Sequence, residues 1–252
     1  MSRVKLNKKI VVFDFDGVIC DSTDECMVTS WNAWQEWNGR AELRESPASF
    51  SAKMMAEFRA LRPRVRGAGE YLVLFHLLAQ GKINVTQEAF ETEVDLHRDN
   101  FEDFKKIFFK HRKRLRAISL VKWLDLHVVY PEVISFLSEI NAKSALYIAT
   151  LKDGESVRLI LRQHGLVLPE KKFYDQAQIS SKLQALNSIR NIEKCSHSEI
   201  IFVDDNITHL KEPSDAGYMV YHAAWCGCLP EFVNLAKSFN IQSIHSVSEI
   251  ML

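Results

Sequence analysis

Two aspartates stand two residues apart in Val11-Val12-Phe13-Asp14-Phe15-Asp16-Gly17-Val18, directly after a short apolar run. In an extended chain such residues point the same way, so Asp14 and Asp16 address one crevice. Crowded carboxylates repel, which keeps one protonated unless a cation intervenes. The pair therefore suits either a metal site or a nucleophile beside a general acid, and Gly17 permits a sharp exit from the strand. Because D-x-D-G also occurs in ordinary turns and calcium loops, three later features carry weight. Thr150 follows the run Ala145–Ala149 and places a hydroxyl where it can donate to a phosphate oxygen. Lys182 opens a helical pattern after Ile179-Ser180-Ser181, where an ammonium can neutralise both a phosphate and a carboxylate; Lys171 and Lys172 compete for that role. Finally, Val203-Asp204-Asp205-Asn206 ends a buried run in paired acids, which is costly unless a cation or hydrogen bonds offset the repulsion. Magnesium, which prefers carboxylate, water and phosphate oxygens, fits that need.

The elements that must position these residues follow from hydrophobic pattern. The runs Ile10–Phe13, Ala145–Ala149, Ile200–Val203 and Tyr218–Tyr221 are short and lack polar alternation, as expected for parallel strands covered on both faces. Helical patterns over Pro131–Asn141, Glu155–His164, Ser181–Glu193 and Thr208–Ala216 separate the last three runs. This rhythm predicts an α/β doubly wound parallel sheet, whose strands present ligands at their carboxyl ends. Between the first two runs the chain is almost wholly helical in pattern, over Ser22–Asn38, Ala48–Leu61, Gly69–Gln80 and Glu88–Arg116. The division predicted is residues 1–21 and 129–252 as the α/β core and 22–128 as an inserted helical domain.

In this order, Asp14-x-Asp16-Gly17-x-x-x-Asp21-Ser22, Thr150, Lys182 and Asp204-Asp205 resemble the motifs of the haloacid dehalogenase-like superfamily, over about residues 8–22 and 128–252. The resemblance implies a Rossmann-like core with a helical cap. It implies that Asp14 is a nucleophile forming an aspartyl-phosphate and that Asp16 is the general acid and then the base. It implies that Thr150 and Lys182 are the second and third motif residues. Magnesium would be held by Asp14, Asp205, the Asp16 carbonyl and, in a supporting role, Asp204. Tyr130-Pro131-Glu132-Val133, Asp215-Ala216-Gly217-Tyr218 and Ala224-Trp225-Cys226-Gly227 resemble the phosphoglycolate phosphatase-like branch. Two departures stand out. Leu151-Lys152 follows Thr150 where Asn is common, which leaves Lys152 beside Thr150 as a candidate substrate contact, and His209 replaces a downstream acid. Asp16 also argues against the dehalogenase branch, which lacks it.

The expected reaction is magnesium-dependent hydrolysis of a small phosphorylated metabolite. Leu61–Glu70, with Arg62, Arg64 and Arg66, is the candidate specificity turn, since guanidinium forks match phosphate or carboxylate oxygens. The same motifs admit a sugar phosphomutase, and the fold alone would admit a non-catalytic binding protein. Trp31, Trp34 and Trp37 read as packing, and the basic run Lys105–Arg116 as a solvated helix face offset by Glu88–Asp95.

Lys plus Arg equals Asp plus Glu, at 32 each, so no overall field draws nucleic acid or an anionic membrane. No window approaches the ~20 apolar residues of a membrane span. The Ile10–Phe13 run is too short for a signal peptide. The five cysteines form no disulfide or zinc pattern. A cytoplasmic monomer or homodimer is expected.

Overall fold

In a computed structural model, residues 9–40, 42–143 and 145–252 are described. They form two compact units: one of residues up to Asp21 and from Val129 onward, the other Ser22–Val128. The chain opens with β1 (Ile10–Phe13) and β2 (Cys20–Asp21). Helices α1 (Thr23–Trp37), α2 (Ala52–Leu61), α3 (Tyr71–Ala79), α4 (Gln87–His97), α5 (Phe101–Ile118) and α6 (Leu120–Leu124) follow. The remainder alternates: β3 (Val128–Val129), α7 (Pro131–Lys143), β4 (Ala145–Ala149), α8 (Gly154–Gln163), β5 (Phe173–Tyr174), α9 (Lys182–Glu193), β6 (Ile200–Asp204), α10 (Ile207–Asp215), β7 (Met219–Ala223), α11 (Pro230–Ser238) and β8 (Gln242–Ile244).

Six strands form one parallel sheet in the order β5-β4-β1-β6-β7-β8. The central strand explains the apolar runs. Val11, Val12 and Phe13 are completely buried because both sheet faces are covered. Val12 joins Phe202, Leu186 and Ile189 in one core cluster, whereas the Phe13 ring lies 6.2 Å from that of Phe136 on α7. Each such side chain contributes roughly 1.5–3 kcal/mol of burial. Strands β5 and β8 lie outside the predicted set, since two or three residues at a sheet edge leave too short a pattern to read.

Register positions the chemistry. Phe13 pairs with Ile148 of β4 and with Val203 of β6. Asp14, one residue on, is therefore level with Ala149 and Asp204, and its amide donates to the Val203 carbonyl at 2.9 Å. The Thr150 amide donates to the Tyr174 carbonyl at 2.9 Å, which ends β4 at the same height.

The helical unit departs from the expected boundaries in two places. The Ala48–Leu61 pattern is interrupted, and α2 begins only at Ala52, because the Ser51 side chain accepts from the Met54 amide and caps a new helix. The Glu88–Arg116 pattern is two helices, α4 and α5, separated by a short turn at Arg98–Asn100. The tryptophans pack within this unit. Trp34 stacks on Phe75 at 6.0 Å, Trp31 meets Phe50 edge-on at 5.5 Å, and Trp37 meets Phe104 at 6.0 Å. The basic run is more deeply used than a solvated face. Arg112 is buried and makes two hydrogen bonds of 2.8 Å to the buried Glu25 carboxylate, while Lys110 reaches Glu36 at 2.8 Å. Among the described pairs, its partners therefore come from α1 and from its own first turn, where Glu102 and Asp103 meet Lys105 and Lys106. No helix among the described residues is long and apolar enough to cross a membrane.

Candidate active site

Asp14 leaves the end of β1 almost fully buried, with 6% of its surface exposed. Residues at equal register on adjacent parallel strands point the same way, so Asp14 and Asp204 converge. Lys182, the first residue of α9, lies between them. Its Nζ is 2.7 Å from Asp14 Oδ1 and 3.0 Å from Asp204 Oδ2, and it donates to the Ala149 carbonyl at 2.8 Å. Ser181 caps α9 by accepting from the Gln184 amide, which fixes where the helix begins and hence where Lys182 points. Lys182, rather than Lys171 or Lys172, thus occupies the cationic position. Lys172 instead pairs with Glu193 at 2.9 Å.

The electrostatics are uneven. Burial, reinforced by the charge of Asp204, raises the Asp14 carboxyl above its ordinary range despite the Lys182 ammonium. Asp204 is also penalised by burial, yet Lys182, the His209 ring and the Asn206 amide together hold its carboxyl well below the usual range. His209 Nδ1 lies 3.2 Å from Asp204 Oδ2, and the Asn206 amide donates to Asp204 Oδ1 at 2.9 Å. Burial alone would lower Lys182, but the two aspartates outweigh it and raise its ammonium.

A second lysine enters from the loop after β4. Lys152, almost fully buried, places Nζ 3.2 Å from Asp16 Oδ1. Its amide donates to Thr150 Oγ1 at 3.1 Å, so Thr150 shapes the loop that carries Lys152 as well as presenting its own hydroxyl. Asp205 closes the other side. Gly17 has φ +80°, and a Cβ added there would come 2.1 Å from Asp205 Oδ2. Only glycine permits this approach, which ties the first acidic motif to the fourth.

The structure thus brings together Asp14, Asp16, Thr150, Lys152, Lys182, Asp204 and Asp205. Arg62, Arg64 and Arg66 belong to the helical unit. The Arg62 guanidinium lies 5.9 Å from the Tyr71 ring centre, Arg64 is buried and donates to the Ala60 carbonyl at 3.1 Å, and Arg66 meets Glu70 at 3.4 Å and Glu91 at 3.5 Å. Two supporting residues escaped the sequence reading. His222 on β7 places Nε2 3.1 Å from the Asp205 carbonyl, and Asp175 accepts from the Gly154 amide at 2.8 Å where α8 begins. Only a position at a strand end or after a short strand marks them in sequence, and many unremarkable residues share such positions.

The donor set fits a hard divalent cation. Four carboxylates, from Asp14, Asp16, Asp204 and Asp205, gather here with the two ammoniums of Lys152 and Lys182, so the formal charges of these six residues leave two negative charges in excess. Ligand atoms of Asp14, Asp204 and His209 lie within 4.8 Å of one another. Oxygen donors in that excess suit magnesium better than a softer ion.

A family model for haloacid dehalogenase-like hydrolases matches residues 8–217, and the chain belongs to this family. No curated protein sequence matches it. Among solved structures, a haloacid dehalogenase-like family hydrolase from Streptococcus pneumoniae superposes with a TM-score of 0.59 at 15% identity, covering 94% of this chain and 93% of that one. A protein from Haemophilus somnus described as a predicted phosphoglycolate phosphatase gives 0.55 at 16% identity, covering 87% of each chain. A predicted phosphatase from Clostridium acetobutylicum gives 0.56 at 16% identity, covering 96% of this chain and 95% of that one. These likenesses establish the fold.

Proposed function

We propose that the chain is a magnesium-dependent phosphatase of a small phosphorylated metabolite, acting in the cytoplasm through an aspartyl-phosphate on Asp14. The observation that carries this reading is the buried Asp14 carboxylate, held by Lys182 beside Asp204 at the strand ends, with Asp16 held by Lys152. Asp14, Asp205 and the Asp16 carbonyl would hold magnesium, with Asp204 supporting from behind. When bound, magnesium screens the repulsion between phosphate oxygens and the attacking carboxylate and orients the ester for in-line displacement.

The chain's own residues supply the rest. Asp14 attacks phosphorus while its oxygen stays fixed by Lys182, and the bond to the leaving oxygen breaks. Asp16 gives that oxygen a proton, then takes one from the water that releases phosphate. Such acid–base help contributes about 10²–10⁴-fold. Thr150 donates its hydroxyl to a phosphate oxygen. Lys152 fixes the Asp16 carboxylate and adds positive charge where the leaving group departs. The helical unit serves as the cap in this reading, with Arg62, Arg64 and Arg66 contributing substrate contacts. Unchanged kinetics in the triple alanine variant would remove them from the proposal.

The test is phosphate release from a panel of phosphorylated metabolites with magnesium, beside Asp14→Asn. Release that disappears in the variant and on chelation supports the reading. Net interconversion of sugar phosphates without release would replace it with a mutase, and magnesium binding without turnover of any compound would replace it with a binding role.

A further inference from the structure

A second set of metal-binding side chains lies wholly within the helical unit. His76 sits in the last turn of α3, and Glu93 and His97 lie four residues apart on α4, a spacing that puts both on one helix face. One ligand atom from each lies within 4.8 Å of the other two. The two imidazole rings are 4.6 Å apart between centres and tilted at 62°. All three residues are half-buried, so they are neither locked in the core nor spread in solvent.

We propose that His76, Glu93 and His97 bind a zinc-type divalent ion. Two imidazoles and one carboxylate form a borderline donor set, unlike the all-oxygen set that magnesium prefers. Zinc bonds of about 2.0–2.2 Å would draw the three ligand atoms together to about 3.4 Å, a closure that small side-chain rotations supply. Three protein ligands leave a fourth position for water. Two contacts compete at this site: the exposed Gln80 amide, whose Nε2 lies 2.6 Å from His76 Nε2 and must swing aside, and a weak ion pair on Glu93. Lys82 Nζ stands 3.8 Å from Glu93 Oε1 and is about half exposed. The ion would clip α3 to α4 across the turn at residues 80–86, and it would stabilise the folded chain because the unfolded chain has no preformed site.

This site is independent of the acidic centre, and its test keeps the two apart. The full-length chain is stripped with chelator, loaded with excess magnesium to occupy the acidic centre, and titrated with Co2+ and then Zn2+. The expected result is one Co2+ per chain with the visible absorption of a low-coordinate nitrogen site, displaced by Zn2+ and unchanged in Asp14→Asn. Zinc should also raise the melting temperature. His76→Gln and His97→Gln should abolish the absorption and the thermal gain while circular dichroism stays native. Glu93→Gln keeps the side-chain shape and serves if the histidine variants do not fold; since loss of an outer partner alone costs 10–100-fold in affinity, loss of this ligand should weaken binding by about tenfold or more. No binding by the folded wild type, or the same absorption in these variants, would overturn the proposal.

Discussion

The two units bury charge in opposite ways. In the helical unit the carboxylate of Glu25 meets Arg112 through two hydrogen bonds of 2.8 Å, Thr29 donates to the same carboxylate at 2.7 Å, and the Arg112 guanidinium lies 4.7 Å over the Phe108 ring. That pair is neutral, each charge closed by the other. In the α/β unit Lys182 is shared between Asp14 and Asp204, Lys152 meets Asp16, and Asp205 adds a further carboxylate beside Gly17. A buried carboxylate closed by its own cation joins elements together. Buried carboxylates that share one cation leave room for another, which is the arrangement the proposed magnesium site uses.

Replacement of Asp14 should break this contrast most sharply. Asp14→Asn should cut turnover by more than about a thousandfold, because an amide cannot form the covalent intermediate. Phosphate release against folded protein measures it, and a residual rate near wild type would remove Asp14 from the nucleophilic role.

Next in size is the structural pair. Arg112→Ala should destabilise by about 3–5 kcal/mol, since it strands a buried carboxylate, while Glu25→Gln combined with Arg112→Met should restore most of the loss. Urea melts of the three proteins decide this. A single variant as stable as wild type would show that the helical pair is not a buried ion pair in solution.

A smaller effect has the opposite sign. In chelator at neutral pH, Asp14→Asn should be more stable than wild type by about 1 kcal/mol, because it removes a buried charge near Asp204. The Asp14 carboxyl is raised in the folded state, so the folded protein holds its proton more tightly than the unfolded chain. Wild-type stability therefore falls as pH rises through that carboxyl's titration range, and the advantage of the variant should shrink as pH is lowered. Magnesium should abolish the advantage at neutral pH. Melting temperatures at several pH values, with and without magnesium, test both statements.

The smallest effect lies two residues along α5 from Arg112. Lys110→Ala should cost under about 1 kcal/mol, since its ion pair with Glu36 lies at the surface. Hydrogen bonding to Lys110 first, and contact with His111, hold the Glu36 carboxyl below its ordinary range. The contribution is therefore present at neutral pH and is lost as pH falls through the folded carboxyl's value. A loss as large as that of Arg112→Ala would erase the distinction between exposed and buried pairs.

The core strands, their order of appearance and the acids at their ends were legible in sequence because burial on both faces leaves unbroken apolar runs, and a polar residue after such a run stands out. Asp14, Asp16, Thr150, Asp204 and Asp205 stand out this way, whereas Lys182 is marked only by opening a helical pattern and shares candidacy with Lys171 and Lys172. The edge strands β5 and β8 were not, being too short to have a pattern, and neither was the break between α4 and α5, because the turn at Arg98–Asn100 has no proline or glycine to mark it. What only tertiary structure decided was pairing. Register set Asp14 level with Asp204, the start of α9 chose Lys182 over its neighbours, and the loop after β4 turned Lys152 onto Asp16. It also separated Arg112 from the surface lysines beside it and gathered His76, Glu93 and His97. Residue type and spacing determine what chemistry a side chain can do and which way it leaves its own strand or helix. Its partner is set by distances between elements far apart in the chain, and those exist only once the apolar faces have packed.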